Sequence, residues 1–161
     1  MPVSSDIFRT YSSPRHVTRA LYAMGPREDR AIMWLMSGCF LMFISGLPAL
    51  QRAAVETGTN FQKSTIYSFF LLLTVAPLIF YAIAFILFGV TRLLRPSATV
   101  YGARLAVFWG WLAATPLALF YGLLVGFNGL DHPGTTLVGW IWLAAVIWFW
   151  INGLIETSKA I

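Results

Sequence analysis

Four stretches of this sequence run for about 20 residues without a single Asp, Glu, Lys, Arg or His in their interiors: 31–50, 66–90, 105–127 and 137–155. Crossing the roughly 30 Å hydrocarbon core of a bilayer takes about 20 helical residues. In lipid each backbone amide must find its partner inside its own segment, so an isolated apolar run of that length reads as a spanning helix. A soluble helix as long would be expected to show a polar face. The expected fold class is therefore an all-α membrane protein with four transmembrane helices, residues 26–161 forming the membrane domain.

Composition supports that reading. Hydrophobic residues make up 58% of the 161 and charged residues 11%, where a soluble domain carries about 25% charged residues. The net charge of +5 does not form a basic patch, because the cations cluster at the ends of the apolar runs. That distribution argues against a nucleic-acid partner and for an orientation signal. Arg9, Arg15, Arg19, Arg27 and Arg30 precede the first run, Arg92, Arg95 and Arg104 lie between the second and third, and Lys159 follows the last. Only Arg52 and Lys63 fall on the other side. A nine-to-two division places both termini in the cytoplasm under the positive-inside rule. The polar stretch ahead of residue 31 is too long for a cleavable signal peptide, so the N-terminus is expected to be retained. The lone cysteine, Cys39, lies within an apolar run and carries no information about redox compartment.

The segment before the first span has its own pattern. Ser13-Pro14 suits a helix start, and Gly25-Pro26 ends that helix and begins the next. Between them Val17, Leu21 and Met24 share one face, with Arg15 and Arg19 on another. Residues 13–25 are thus expected to form an amphipathic interfacial helix whose arginines meet anionic headgroups, and residues 1–12 a disordered cytoplasmic tail. Glu28 and Asp29 fit the first turn of the following helix, where they complement its dipole.

Within the third span Ala106, Gly110, Ala114, Ala118, Gly122 and Gly126 recur every four residues. On one helix they make a straight groove of small side chains, where another helix, of this chain or of a partner, approaches closely. Pro77 and Pro116 sit near the middles of the second and third spans, each freeing the carbonyl four residues earlier, at Leu73 and Leu112. Thr74 and Thr115 are placed to satisfy those groups. In the last span Trp140, Trp142 and Trp150 suit interfacial belts, while Trp148 and Phe149 are expected deeper, facing lipid by default, with a pigment or a partner helix as the alternatives.

No reactive constellation stands out. His16 and His132 fall on opposite sides of the expected membrane and cannot share a metal, and Asp131 alone beside His132 is too little for a site. No nucleophile has a nearby base, and no phosphate-cradling glycine loop is present. Asn128, Asp131 and Pro133 read as turn residues. No catalytic, cofactor-binding or metal-binding residues are assigned, and an enzyme is not expected.

Ser13-Pro14-Arg15-His16-Val17, the Met24-Gly25-Pro26-Arg27-Glu28-Asp29-Arg30 segment, the proline-containing middle spans and the Tyr101-Gly102-Ala103-Arg104 run together resemble the bacterial branch of the Yip family of small multi-pass membrane proteins. The resemblance covers most of the chain. It implies a helical membrane fold, often with five spans rather than four; eukaryotic relatives bind small GTPases in vesicle traffic. Their acidic-leucine-glycine-proline signature is absent, so no functional residue is carried over. The expected function is a non-enzymatic scaffold or accessory subunit packed against a membrane-protein partner, or a homo-oligomer, in the lipid bilayer. The alternatives are a small oligomeric transporter or channel, suggested by the paired prolines, and a lipid-interacting, membrane-organising protein acting through its N-terminal arm.

Overall fold

The computed structural model describes residues 3–159, and among these the chain is helical with no strand. Two short helices, α1 (Val3–Ser12) and α2 (Pro14–Ala23), form an N-terminal arm. The bundle follows as α3 (Glu28–Thr57), α4 (Phe61–Phe70), α5 (Ala76–Leu94), α6 (Val100–Ala113), α7 (Thr115–Asn128) and α8 (Pro133–Thr157). Glu28–Thr57, Phe61–Leu94 and Pro133–Thr157 are each long and apolar enough to cross a membrane, and α6 with α7 make a fourth crossing if their bent pair counts as one.

Local chemistry sets the boundaries. Pro14 occupies the first turn of α2, where no amide hydrogen is needed. Gly25, at φ +83°, turns the chain from α2 toward α3, a conformation that L side chains rarely adopt. At the far end of α3 Gly58 closes the helix left-handed, its amide donating to the Ala54 carbonyl at 3.1 Å. Asn60, Thr99 and His132 cap α4, α6 and α8 by accepting backbone amides onto their side chains.

The two mid-span prolines are accommodated differently. Ahead of Pro77 the helix widens into a π turn over Leu71–Val75, with the Ala76 amide reaching the Leu71 carbonyl five residues back. A wider turn relieves the clash that a proline ring makes with the preceding turn. Ahead of Pro116 the helix breaks instead, and α6 and α7 meet at 41° across Ala114. The Thr115 hydroxyl donates to the Leu112 carbonyl at 2.7 Å, satisfying the group that Pro116 leaves without its amide.

Helix α6 is the central post, buried along nearly its whole length and packed by α2, α3, α5 and α8. Around it Leu35, Cys39, Phe80, Ala84, Val107 and Phe108 form one core layer, and Val17, Leu21, Trp34, Leu105, Trp109 and Leu112 another. Helices α4 and α5 are peripheral: α4 and the π turn bury no residue, and α5 buries only Phe80 and Ala84.

The tail expected to be disordered over residues 1–12 is helical from Val3 to Ser12; Met1 and Pro2 lie outside the described residues. Tertiary contact is the reason. Thr10 is buried and accepts the indole N–H of Trp109 at 3.1 Å, and Tyr11 meets Phe149 edge-on at 5.1 Å between ring centres. A ten-residue helix has little stability alone, so these anchors hold it.

Candidate functional site

Ser13 is the only non-helical residue between α1 and α2, and the elbow it makes reaches well into the bundle. Phe149, against which Tyr11 packs, lies about two turns, roughly 12 Å, inside the end of α8. From that depth α2 runs outward along α8. Arg15 Nε donates to the Asn152 side-chain carbonyl at 2.7 Å, and one turn later Arg19 Nε pairs with the Glu156 carboxylate at 2.5 Å. The Glu156 side chain is 3% exposed and takes a second cation, Lys159, at 2.7 Å. Matching residues four apart on each helix gives two rungs of a parallel ladder. Arg15 and Arg19 thus tie the arm to α8, which offers both acceptors within reach, while the Arg19 side chain stays 66% exposed.

Between this arm and the start of α3 lies a chamber of about 470 Å³, within the roughly 300–1,000 Å³ of small-molecule sites. Its floor is apolar and buried: Val17 and Leu21 from α2, Trp34 from α3 and Trp109 from α6. The two indoles meet edge-to-face at 5.1 Å. The Thr10 hydroxyl, which accepts from Trp109, donates to the Asp6 carbonyl at 2.7 Å, so the floor is tied to α1 as well. Ionisable groups line the walls: Asp6 and Arg9 from α1, His16 from α2 and Arg30 from α3. Arg30 is fixed by the Gly25 carbonyl at 3.0 Å and the Met24 thioether at 3.3 Å, and its guanidinium lies 5.5 Å from the centre of the Trp34 ring. Its Nε is buried with no hydrogen-bond partner among the described residues. The arrangement suits a ligand with a polar, negatively charged end and a hydrocarbon part. Among the described residues no three His, Cys, Asp or Glu side chains come together as a metal site.

The stripe of small residues is divided by the bend. On α6, Ala106 lies against Gly153 of α8, and a side chain on Gly110 would meet Trp150 Cδ1 at 2.7 Å. Ala114, at the bend, packs with Val146 and Phe149. On α7 the neighbour changes to α3: Gly122 lies against the Ser45 backbone and Gly126 against Pro48, with Ala118 facing the same α3–α7 crevice. The groove is neither straight nor open, and the helices that fill it belong to this chain.

The aromatic residues of α8 also divide. Trp140 and Trp148 are exposed, and Trp142 is half-buried with its indole nitrogen unpartnered among the described residues. Trp150, expected at an interface, turns into the bundle and donates to the Val107 carbonyl at 3.1 Å. Phe149, expected to face lipid, is buried against Ala113, Ala114 and Tyr11. Both follow from the small side chains of α6, which leave room for rings from α8.

Asn152, Glu156, Thr10 and Trp109 organise the arm and were not singled out from the sequence. One signal was present: a polar pair four apart near the end of an otherwise apolar helix, at the same spacing as Arg15 and Arg19. The chain matches no family model, no curated protein and no solved structure.

Proposed function

We propose that the protein is a non-enzymatic, lipid-interacting membrane protein that holds a lipid in the chamber beneath its N-terminal arm. The observation that carries this reading is the chamber, which sets an apolar floor of Val17, Leu21, Trp34 and Trp109 beside ionisable walls at one end of a bundle of membrane-length helices. That end is the cytoplasmic one by the charge distribution, so the lipid comes from the cytoplasmic leaflet, in a bacterial inner membrane on this reading. The kinship with bacterial Yip proteins is part of the proposal. Photolabelling with a diazirine-bearing phospholipid in reconstituted membranes tests it. The expected crosslinks fall on peptides holding Leu21, Met33 and Trp34; crosslinks confined to the outer faces of α4 and α5 would refute it.

A second reading, an accessory subunit of a larger membrane complex, is favoured by one observation. The end of α4, the π turn and α5 present Phe70, Leu71, Leu78, Ile79, Phe85 and Ile86 to the outside, an apolar wall broad enough for a partner helix or a second copy. The mass of the complex purified in mild detergent tests it: a stoichiometric larger assembly supports it and a lone chain rejects it. Transport is not favoured, since Pro77 and Pro116 each have a local role in shaping their helices.

A further inference from the structure

We infer that the arm is a wedge, a helical hairpin set into one leaflet, and that the protein favours membranes curved convexly toward the arm's side. This further function does not rest on what occupies the chamber. The depth of the arm carries it. Residues 137–151 of α8 include no charged, amide or hydroxyl side chain, and Asn152 is the first such residue toward the arm's end. The Tyr11 ring meets Phe149, three residues or about 4.5 Å farther in than Asn152. On α6 the one ionised residue is Arg104, paired with Glu28 at 2.7 Å. The Trp109 indole bonded to Thr10 lies five residues, about 7.5 Å, beyond Arg104. Two helices thus agree that Thr10 and Tyr11 lie below the polar boundary. Val3 and Met24, at the far ends of the arm, line one chamber, so α1 and α2 both rise from a deep elbow at Ser13. One turn before Tyr11, Phe8 is 70% exposed, at a level where acyl chains rather than water cover it. Arg15 and Arg19 meet Asn152 and Glu156 at the boundary itself. Apolar rings below and cations at the boundary are the division of an amphipathic segment inserted about 5–10 Å into a leaflet.

The two halves of the molecule therefore differ in width. Each of the four crossings, with α6 and α7 as one, gives one helix to each leaflet, and the arm adds two to one leaflet alone. A helix with its side chains is about 10–12 Å across, so the pair adds a section of roughly 160–230 Å² at that level. A molecule wider in one leaflet packs with least strain where that leaflet is expanded, and insertion of this kind is sensitive to curvature. By linkage, a protein that prefers a bent membrane also lowers the cost of bending it.

Two measurements on the full-length chain in vesicles of phosphatidylcholine and phosphatidylglycerol test the inference. A nitroxide attached at Phe8→Cys, in a Cys39→Ala background, should collide more readily with oxygen than with a water-soluble nickel chelate; the reverse overturns the insertion. In the second, the chain is reconstituted into vesicles of graded diameter, and Lys63 is labelled with a membrane-impermeant amine reagent before and after detergent. Lys63 lies in the first turn of α4, across the membrane from the arm, so its protection marks molecules whose arm faces outward. The ratio of arm-outward to arm-inward molecules should rise at least about twofold from the largest vesicles to the smallest, and a flat ratio overturns the wedge. Phe8→Asp places a charge at an exposed position of the arm and should remove the rise. Val55→Asp adds the same charge at a 76% exposed position near the other end of α3 and should keep it. Equal behaviour of these two variants overturns the assignment to the arm.

Discussion

Replacing Gly122 by alanine adds a single methyl group, yet it is expected to be among the most costly small changes in the bundle. A Cβ at this position would run into the Ser45 carbonyl of α3. The obstacle is backbone, so no side-chain rotation relieves it and the two helices must separate. Restoring a normal contact of roughly 3.5 Å requires an opening of more than about 1 Å, and a gap of that order forfeits a quarter to a half of the dispersion well for every atom pair affected. Overpacking typically costs about 1–3 kcal/mol, and the upper end applies where backbone meets backbone. Replacing a helical glycine with alanine returns about 0.5–1 kcal/mol, leaving a net loss of about 2 kcal/mol. Gly46, beside Ser45 on α3, is the matched control: a Cβ there meets nothing within 4 Å, so Gly46→Ala should be neutral or stabilising by up to about 1 kcal/mol. Unfolding in mixed micelles of increasing SDS content, followed by the fluorescence of the seven tryptophans, measures both. Equal stabilities for the two variants would refute the close crossing of α3 and α7.

Thr115→Val keeps the shape of the side chain but removes the donor to the Leu112 carbonyl; it should cost about 1 kcal/mol, with Thr115→Ser near wild type in the same assay. Trp109→Phe removes the hydrogen bond to Thr10 at a cost of about 1 kcal/mol, and limited trypsin digestion should cleave the arm several-fold faster; an unchanged rate would mean the arm is held elsewhere. In a double-mutant cycle of Arg19→Gln and Glu156→Gln, the coupling should be only about 0.2–1 kcal/mol, because the Arg19 side chain is 66% exposed. The chain has two lysines, Lys63 and Lys159, and a membrane-impermeant amine reagent applied to intact spheroplasts should modify Lys63 alone; labelling of Lys159 would reverse the orientation.

The membrane-length helices were legible because lipid imposes a length and a polarity that apolar runs display directly. Less visible was how the prolines act. Pro77 and Pro116 sit in similar strings, yet one widens its helix and the other breaks it. At Ala114 the small side chains let α8 and α3 crowd in from two directions, whereas the α5 turn has open surroundings. The periodic stripe from Ala106 to Gly126 announced close packing but not its partners, since the 41° bend turns its two halves toward different helices. Tyr11 and Thr10 gave no local sign that they would be bound, because their partners Phe149 and Trp109 lie far along the chain. The chamber was illegible for the same reason, as its walls come from α1, α2, α3 and α6. Arg15 and Arg19 were picked out as a cationic pair, and the sequence did hold their partners at the same spacing, but an apolar helix ending in Asn152 and Glu156 reads as an ordinary helix end.

The two rungs that hold the arm each join residues 137 positions apart, and this fixes an order of assembly. At a synthesis rate of about 5–20 residues per second, some 7–27 s separate the emergence of Arg15 from that of Asn152. Throughout that interval the arm has no acceptor for its arginines and no Phe149 to receive Tyr11, so only its contacts with α3 and α6, through Trp34, Leu105 and Trp109, are available to hold it. Closure of the two rungs therefore reports that the last span is in place, and a chain truncated before α8 would hold its arm only through Thr10 and the apolar face of α2.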